Sequence, residues 1–167
     1  ISLIMKHLNI SINDRKCVKA ALEKGEKTNT VSMALELEDG TIVDSKTSPL
    51  LSAPASLLLN ALKTLAGIDD SVLLISPAII EPVSKMKINN LGNHNPRLHS
   101  DEVLIALCMS AVESSDAKKA FDVLNALSGS EAHATVILSQ VDRDTFRKLG
   151  INLTCEPHYE SKKLYHK

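Results

Sequence analysis

The stretch Val31-Ser32-Met33-Ala34-Leu35-Glu36-Leu37-Glu38-Asp39-Gly40-Thr41-Ile42-Val43-Asp44-Ser45 decides the fold class. Its first eight residues alternate apolar and polar almost strictly, the pattern of a half-buried strand. Asp39-Gly40 is a favoured dipeptide for a tight hairpin turn, and Thr41 to Ser45 is the return strand.

Downstream the pattern changes period. Ser52 reads as the cap of a helix running to Ala66 and stopped by Gly67, with Leu58, Leu62 and Leu65 as its buried face. Val72-Leu73-Leu74-Ile75 is a short apolar run, expected to be a central strand covered on both faces. Ser76-Pro77 opens another helix, which Pro82 should kink or split. Helix Asp101 to Glu113 is expected to bury Leu104, Ile105, Leu107, Cys108 and Ala111. Ser115 caps a helix to about Leu127, with Phe121 and Leu124 inward. Glu131 to Leu138 reads as a strand, and Asp142 as the cap of a short helix carrying Phe146 and Leu149. Ile151 to Cys155 is an edge strand, and the tail from Glu156 to Lys167 is polar.

Upstream, Ile1 to Glu23 reads as helical with a break near Asn9 to Asn13, and Gly25 to Thr30 as a polar linker. The expected organisation is a helical lead-in over residues 1–27 and an α/β domain over residues 28–167. Helices alternating with strands call for right-handed crossovers and a sheet covered on both faces. The expected fold is a three-layer α/β/α sandwich around a mixed five-stranded sheet with an N-terminal hairpin. That layout resembles the cytidine-deaminase-like architecture, and function does not travel with the resemblance.

Composition excludes several classes. The chain has 167 residues, enough for one domain with its own core. Two Phe, two Tyr and no Trp leave no stacking platform for single-stranded nucleic acid. A net charge of −1 gives no global attraction to nucleic acid or an acidic membrane. No apolar run reaches the length of a membrane span. The start, Ile1 to His7, lacks a charged leader, so it is not read as a signal peptide; beginning on Ile, the chain reads as a piece of a longer one. Cys17, Cys108 and Cys155 are odd in number and widely spaced, which fits free thiols in the reducing cytoplasm. Cys17 and Cys108 are expected to be packing residues on apolar helical faces.

The richest polar segment is Gly92-Asn93-His94-Asn95-Pro96-Arg97-Leu98-His99-Ser100-Asp101-Glu102. Gly92 and Pro96 break the chain into a loop, and Ser100 reads as the cap of the helix behind it. A helix N-terminus offers free N–H groups, and Arg97 adds a planar fork of donors, so an anion or nucleotide phosphate could be held here. Asp101 and Glu102 argue against that, since they already compensate the helix dipole. The competing reading is a surface loop whose side chains satisfy their own backbone. Lys46, Thr47 and Ser48 pose the same choice between anion contact and simple turn.

Several chemistries are absent. A zinc deaminase needs His-x-Glu and Pro-Cys-x-x-Cys at two helix starts, where this chain has Pro49 to Pro54 and Ser76 to Ile79. There is no His-Glu-x-x-His, no Gly-x-Ser-x-Gly elbow and no glycine-rich phosphate loop. His94, His99, His133, Cys155 and His158 could supply separated metal ligands, but their spacing matches no standard zinc pattern and no metal is assigned. The alternative makes His133 a hydrogen-bonded strand histidine and Cys155 a small packing residue. Cys155 beside His158 or His133 could in principle be a nucleophile, without any flanking oxyanion hole. Arg147-Lys148 and Lys162-Lys163 are short basic pairs, read as solvated surface.

Certain longer strings are familiar: Lys46-Thr47-Ser48, Ser56 to Lys63, Leu91-Gly92 with His94 to His99, Glu131-Ala132-His133, and Phe146 to Pro157. Over most of residues 28–167 they resemble the C-terminal part of a bacterial family of much longer chains, without assigned function, some of whose members carry the label ATP-dependent peptidase or zinc protease. Where that family commonly has a second glycine after Leu91-Gly92, this chain has Asn93. The resemblance implies a glycine-rich, P-loop-like segment upstream, so that any nucleotide chemistry is shared with a preceding domain of the same chain. It carries over no catalytic residue and no cofactor.

Two readings follow. In the first, this is the C-terminal domain of a cytosolic, nucleotide-dependent enzyme. Its polar loops line a cleft: Asn95, Arg97, Asp101, Lys46, Thr47, Ser48, Glu131, Cys155 and Glu156 bind an anionic ligand, and His94, His99 or His133 handles protons. In the second, it is a non-catalytic interaction or oligomerisation module, and a homo-oligomer is open.

Overall fold

The computed structural model describes residues 15–159. In chain order these form α1 (Lys16–Thr28), β1 (Ser32–Glu36), β2 (Ile42–Lys46), α2 (Ala53–Ala66), α3 (Pro77–Asn89), α4 (Ser100–Ser110), α5 (Ser115–Asp122), a 3-10 turn (Leu124–Leu127), β3 (Glu131–Ala134), α6 (Gln140–Lys148) and β4 (Asn152–Cys155). The expectations for residues 1–14 and 160–167 lie outside the described residues.

The hairpin forms as its sequence demands. β1 pairs antiparallel with β2, Leu35 opposite Val43, and Gly40 closes the turn at φ +88°, a conformation an L-side chain rarely adopts. β3 then pairs antiparallel with the other edge of β1, and β4 lies parallel to β3, giving the order β2-β1-β3-β4. Among the described residues the sheet is mixed and has four strands, not five. With the fifth strand goes the basis for the deaminase-like comparison.

The missing strand is Val72 to Ile75. Asp69 Oδ1 accepts the Ser71 N–H at 2.9 Å and bends the chain just before the run. Leu74 and Ile75 are buried as a plug in the core, while Leu73 is 70% exposed. Four apolar residues are too few for periodicity to separate a strand from a buried loop.

Strand alternation sorts the two faces. Met33, Leu35, Val43, Ala132 and Ala134 join residues of α2, α4 and the 3-10 turn in the main core. On the opposite face Ala34 meets Cys17, Val18 and Ala21 of α1. β1 is therefore buried on both faces, where alternation suggested one. Its polar-position residues are the small Ser32 and Ala34, and they let α1 approach closely. α1 also runs on through Gly25 to Thr28, where a linker was expected, and ends at Asn29 in the left-handed region.

Other boundaries shift for identifiable reasons. Pro82 lies inside α3 without splitting it. The carbonyl it leaves without a donor belongs to exposed Ala78, where water can serve. Ser52 and Ser76 cap α2 and α3 as read, whereas α5 and α6 take Ser114 and Ser139 as caps in place of Ser115 and Asp142. α5 also ends at Asp122 rather than running to Leu127. β3 ends at Ala134, and the chain to Leu138 is irregular, with Val136 and Leu138 buried and Thr135 and Ile137 half-buried.

The largest surprise is the orientation of α4. It buries Val103, Ala106 and Leu107 and leaves Ile105 at 62% and Met109 at 66% exposure, with Cys108 exposed beside them. Of the five residues expected inward, Leu107 is buried and Leu104 and Ala111 pack against the core, whereas Ile105 and Cys108 are turned to the surface. Apart from its ends the helix is apolar all round, so periodicity could not choose a side.

Candidate functional site

The candidate polar residues gather in two groups on opposite sides of the sheet. The first is built on β3 and β4, on the face that α1 covers. His133, fully buried, is paired in register with Thr154 on the neighbouring strand. Its Nδ1 lies 2.7 Å from Thr154 Oγ1, and its Nε2 lies 3.0 Å from Glu156 Oε2. Arg15 Nη1 donates to the same Thr154 oxygen at 2.7 Å, and its Nε reaches Glu131 Oε2 at 3.4 Å. Thr154 Oγ1 accepts from Arg15, and its own proton has two acceptors within reach, His133 Nδ1 at 2.7 Å and Ala132 O at 3.5 Å. When the proton goes to Nδ1, the neutral ring carries its own proton on Nε2, toward Glu156. Burial pushes the His133 pKa down, against the pull of Glu156 and with the help of Arg15.

The second group surrounds the loop 92–102. Leu98 bridges in parallel to Leu51, with Leu98 N–H donating to Leu50 O and Ser52 N–H donating to Leu98 O. Arg97 Nε donates to Ser48 O at 2.6 Å, and Asn95 Oδ1 accepts the Arg97 N–H. The loop is therefore stitched to the segment after the hairpin, which brings Ser48 and Arg97 together. Lys87 of α3, almost completely buried, donates to Arg97 O and to Glu102 Oε1, each at 2.7 Å. Glu102 in turn accepts the N–H of His99, the N-cap of α4 in place of Ser100.

Ser100, the first residue of α4, points its N–H and hydroxyl at Asp142 of α6, at 3.0 and 2.5 Å. His99 Nδ1 faces the other oxygen of Asp142 at 3.5 Å, an ion-pair distance. That carboxylate raises the His99 pKa against the opposing effect of burial. Burial would raise the Asp142 pKa, but the nearby His99 and the two bonds from Ser100 outweigh it and hold the carboxyl below its ordinary value.

Among the nominated residues, His133, Glu131 and Glu156 stand together, as do Ser48, Asn95, Arg97 and His99. Cys155 lies on β4 with its side chain toward the main core, and burial raises its thiol pKa. His94, Asp101 and Lys46 are exposed, and Thr47 is half-buried with its N–H given to Val31 O. The groups that sequence reasoning missed are Arg15, Thr154, Lys87 and Asp142. Only Thr154 had left a signal, since strand alternation places it on the same face as Glu156.

The arrangement defines a class: an α/β domain whose buried polar groups are largely spent on one another. Among the described residues no group of three or more His, Cys, Asp or Glu side chains is placed to hold a metal ion. No helix among them is long and apolar enough to cross a membrane.

The chain belongs to the family described as domain of unknown function DUF1846, C-terminal, whose model matches residues 13–165. It is 50% identical to a UPF0371 protein of Corynebacterium urealyticum, 48% to one of Streptococcus thermophilus and 46% to one of Streptococcus pyogenes. Each match covers all of this chain and 34% of the relative, so the chain spans about a third of their length.

Proposed function

We propose that this domain is an assembly module, and that the exposed apolar side of α4 packs against the preceding part of the longer polypeptide. The observation that carries this is the row Ile105, Met109 and Val112, exposed at 62, 66 and 84% and spaced by four and then three residues. Ile105 and Met109 lie one turn apart on the same side of α4, and Val112 follows in the turn just past its end. A helix apolar on every side belongs in an interior, and here only half of it has found one. The relatives' greater length supplies the missing partner, which precedes a domain described as C-terminal.

Burying three such side chains is worth roughly 1.5–3 kcal/mol each at full coverage, several kcal/mol in all. For two parts of one chain that suffices, because a linker holds them at an effective concentration in the millimolar range. The two polar groups serve this role as scaffolding. The anchor through Ser100, His99 and Asp142 sets which side of α4 faces out. Any nucleotide-dependent chemistry of the complete protein then rests mainly on the preceding part.

The test is Ile105→Asp with Met109→Asp in the complete chain. Small-angle scattering should show a larger radius of gyration, and limited proteolysis should cut faster at the junction before this domain. An unchanged radius and cleavage pattern would refute the docking.

A further inference from the structure

A different surface lies at the far edge of the sheet. β4 is the terminal strand, and among the described residues none pairs with its outer side. Its Asn152 N–H donates to Ser130 O and the following Glu156 N–H to Ala134 O, each at 2.9 Å, so these amides point inward to β3. In a parallel ladder the intervening residues point the other way, so Leu153 and Cys155 present their N–H and C=O groups outward. Such an edge is a template for another strand.

This edge is not bare. It borders an open groove of about 420 Å³, lined by Ile151 to Cys155, by Arg15, Arg143 and Arg147, and by one acid, Glu131, which is paired with Arg15. The guanidinium of Arg15 is engaged by Glu131, Thr154 and Asn152 O. Among the described residues, those of Arg143 and Arg147 are bonded to Gln140 and Asp144 on their own helix, at 3.0 and 3.1 Å. Exposed pairs of that kind hold weakly and exchange readily.

We infer that the groove binds an extended acidic segment as a fifth strand, its backbone on Leu153 and Cys155 and two carboxylates on Arg143 and Arg147. The spacing fits. Arginines four residues apart on a helix are separated by about 6 Å along its axis. Side chains two residues apart on one face of a strand are about 6.6 Å apart. The recognised pattern is therefore acid-x-acid in an otherwise β-favouring segment. This is strand addition, with main-chain bonds giving affinity and alternate side chains giving selectivity. A second copy of this chain is a poor occupant, because pairing β4 with β4 would draw Arg143 and Arg147 of both copies together. The surface is separate from the exposed side of α4, so either idea can fail without the other.

The probe is a fluorescent, end-blocked pentapeptide alternating valine and glutamate, titrated by anisotropy against the full chain. Saturable binding is expected, and the valine–lysine counterpart should not bind. Arg143→Glu with Arg147→Glu should weaken the glutamate peptide at least tenfold while leaving circular dichroism unchanged. A second arm leaves the protein untouched and methylates alternate backbone nitrogens of the peptide. Methylation in one phase should abolish binding, and in the other it should leave affinity within about twofold, since only one edge of the peptide pairs. Equal loss or equal retention in the two phases would overturn strand addition and leave a general anion patch. No saturable binding of the unmethylated peptide would overturn the proposal outright.

Discussion

Asp142 is the keystone of the helical layer, and its removal should be costly. Its side chain is 95% buried and accepts Ser100 N–H at 3.0 Å, Ser100 Oγ–H at 2.5 Å and Ser139 Oγ–H at 3.0 Å. Asp142→Ala deletes an acceptor of three bonds. It leaves the fully buried Ser100 without a partner for either donor and His99 without its counter-charge. A bond to a charged acceptor is worth about 1.5–3 kcal/mol, and breaking a buried charged contact typically costs about 3–5 kcal/mol. The expected loss is therefore about 4 kcal/mol, less than the sum because the bonds share one carboxylate. Asp142→Asn keeps an oxygen for Ser100 and gives Ser139 a donor instead of an acceptor, so about 1–2 kcal/mol is expected. Urea unfolding of the two variants reads both numbers. The native carboxylate's contribution is full above its unfolded pKa and fades as pH falls through the lower folded one, so the gap between native and Asn variant should close in acid. A loss below 1 kcal/mol for the Ala variant would show that the buried cluster anchors nothing.

Other expectations concern the two histidines and one turn. The folded state holds His133 neutral, so its contribution is full above about pH 6.5 and fades as pH drops through the lower folded pKa; His133→Gln should lessen the loss of stability on going from pH 7 to 5. His99 is shifted the other way, so its contribution is full below about pH 6.5 and fades as pH rises through the higher folded pKa. His99→Gln should therefore steepen the acid-side loss, and in thermal melts across pH the two variants should depart from the native protein in opposite directions. Gly150→Ala should destabilise by about 2–4 kcal/mol in urea, because φ is +80° and the new Cβ would come within 2.4 Å of Ser128 Oγ.

The hairpin was legible because strict alternation ending in Asp-Gly admits few other structures, and the caps at Ser52 and Ser76 because their bonds are local. β4 was legible for the same reason as the hairpin. What could not be read arose from contacts between distant segments. Nothing near Asp142 announces that it will meet Ser100 forty-two residues away, so it read as a cap. Arg15 is separated from Thr154 by 139 positions, and Lys87 meets Arg97 O and Glu102 only through the fold, 10 and 15 positions away. The rotation of α4 was hidden for a related reason: its sequence is apolar on every side, and the polar anchors that turn it belong to other elements. For the candidate site, the structure brings His133, Glu131 and Glu156 together, and separately Ser48, Asn95, Arg97 and His99. The sequence did not show that those groups would mostly bond to each other.

Cys108 provides the most direct measurement, since it sits among Ile105 and Met109 on the exposed side of α4. Cys17 is buried and Cys155 half-buried, and burial raises both of their thiol pKa values, so they serve as slow internal controls. Alkylation by a maleimide, followed by peptide mass spectrometry, compares this domain alone with the complete chain. Docking through α4 predicts fast labelling of Cys108 in the domain alone and labelling at least about tenfold slower in the complete chain, the factor that ~1.4 kcal/mol of local closure imposes. Equal rates in the two would contradict it.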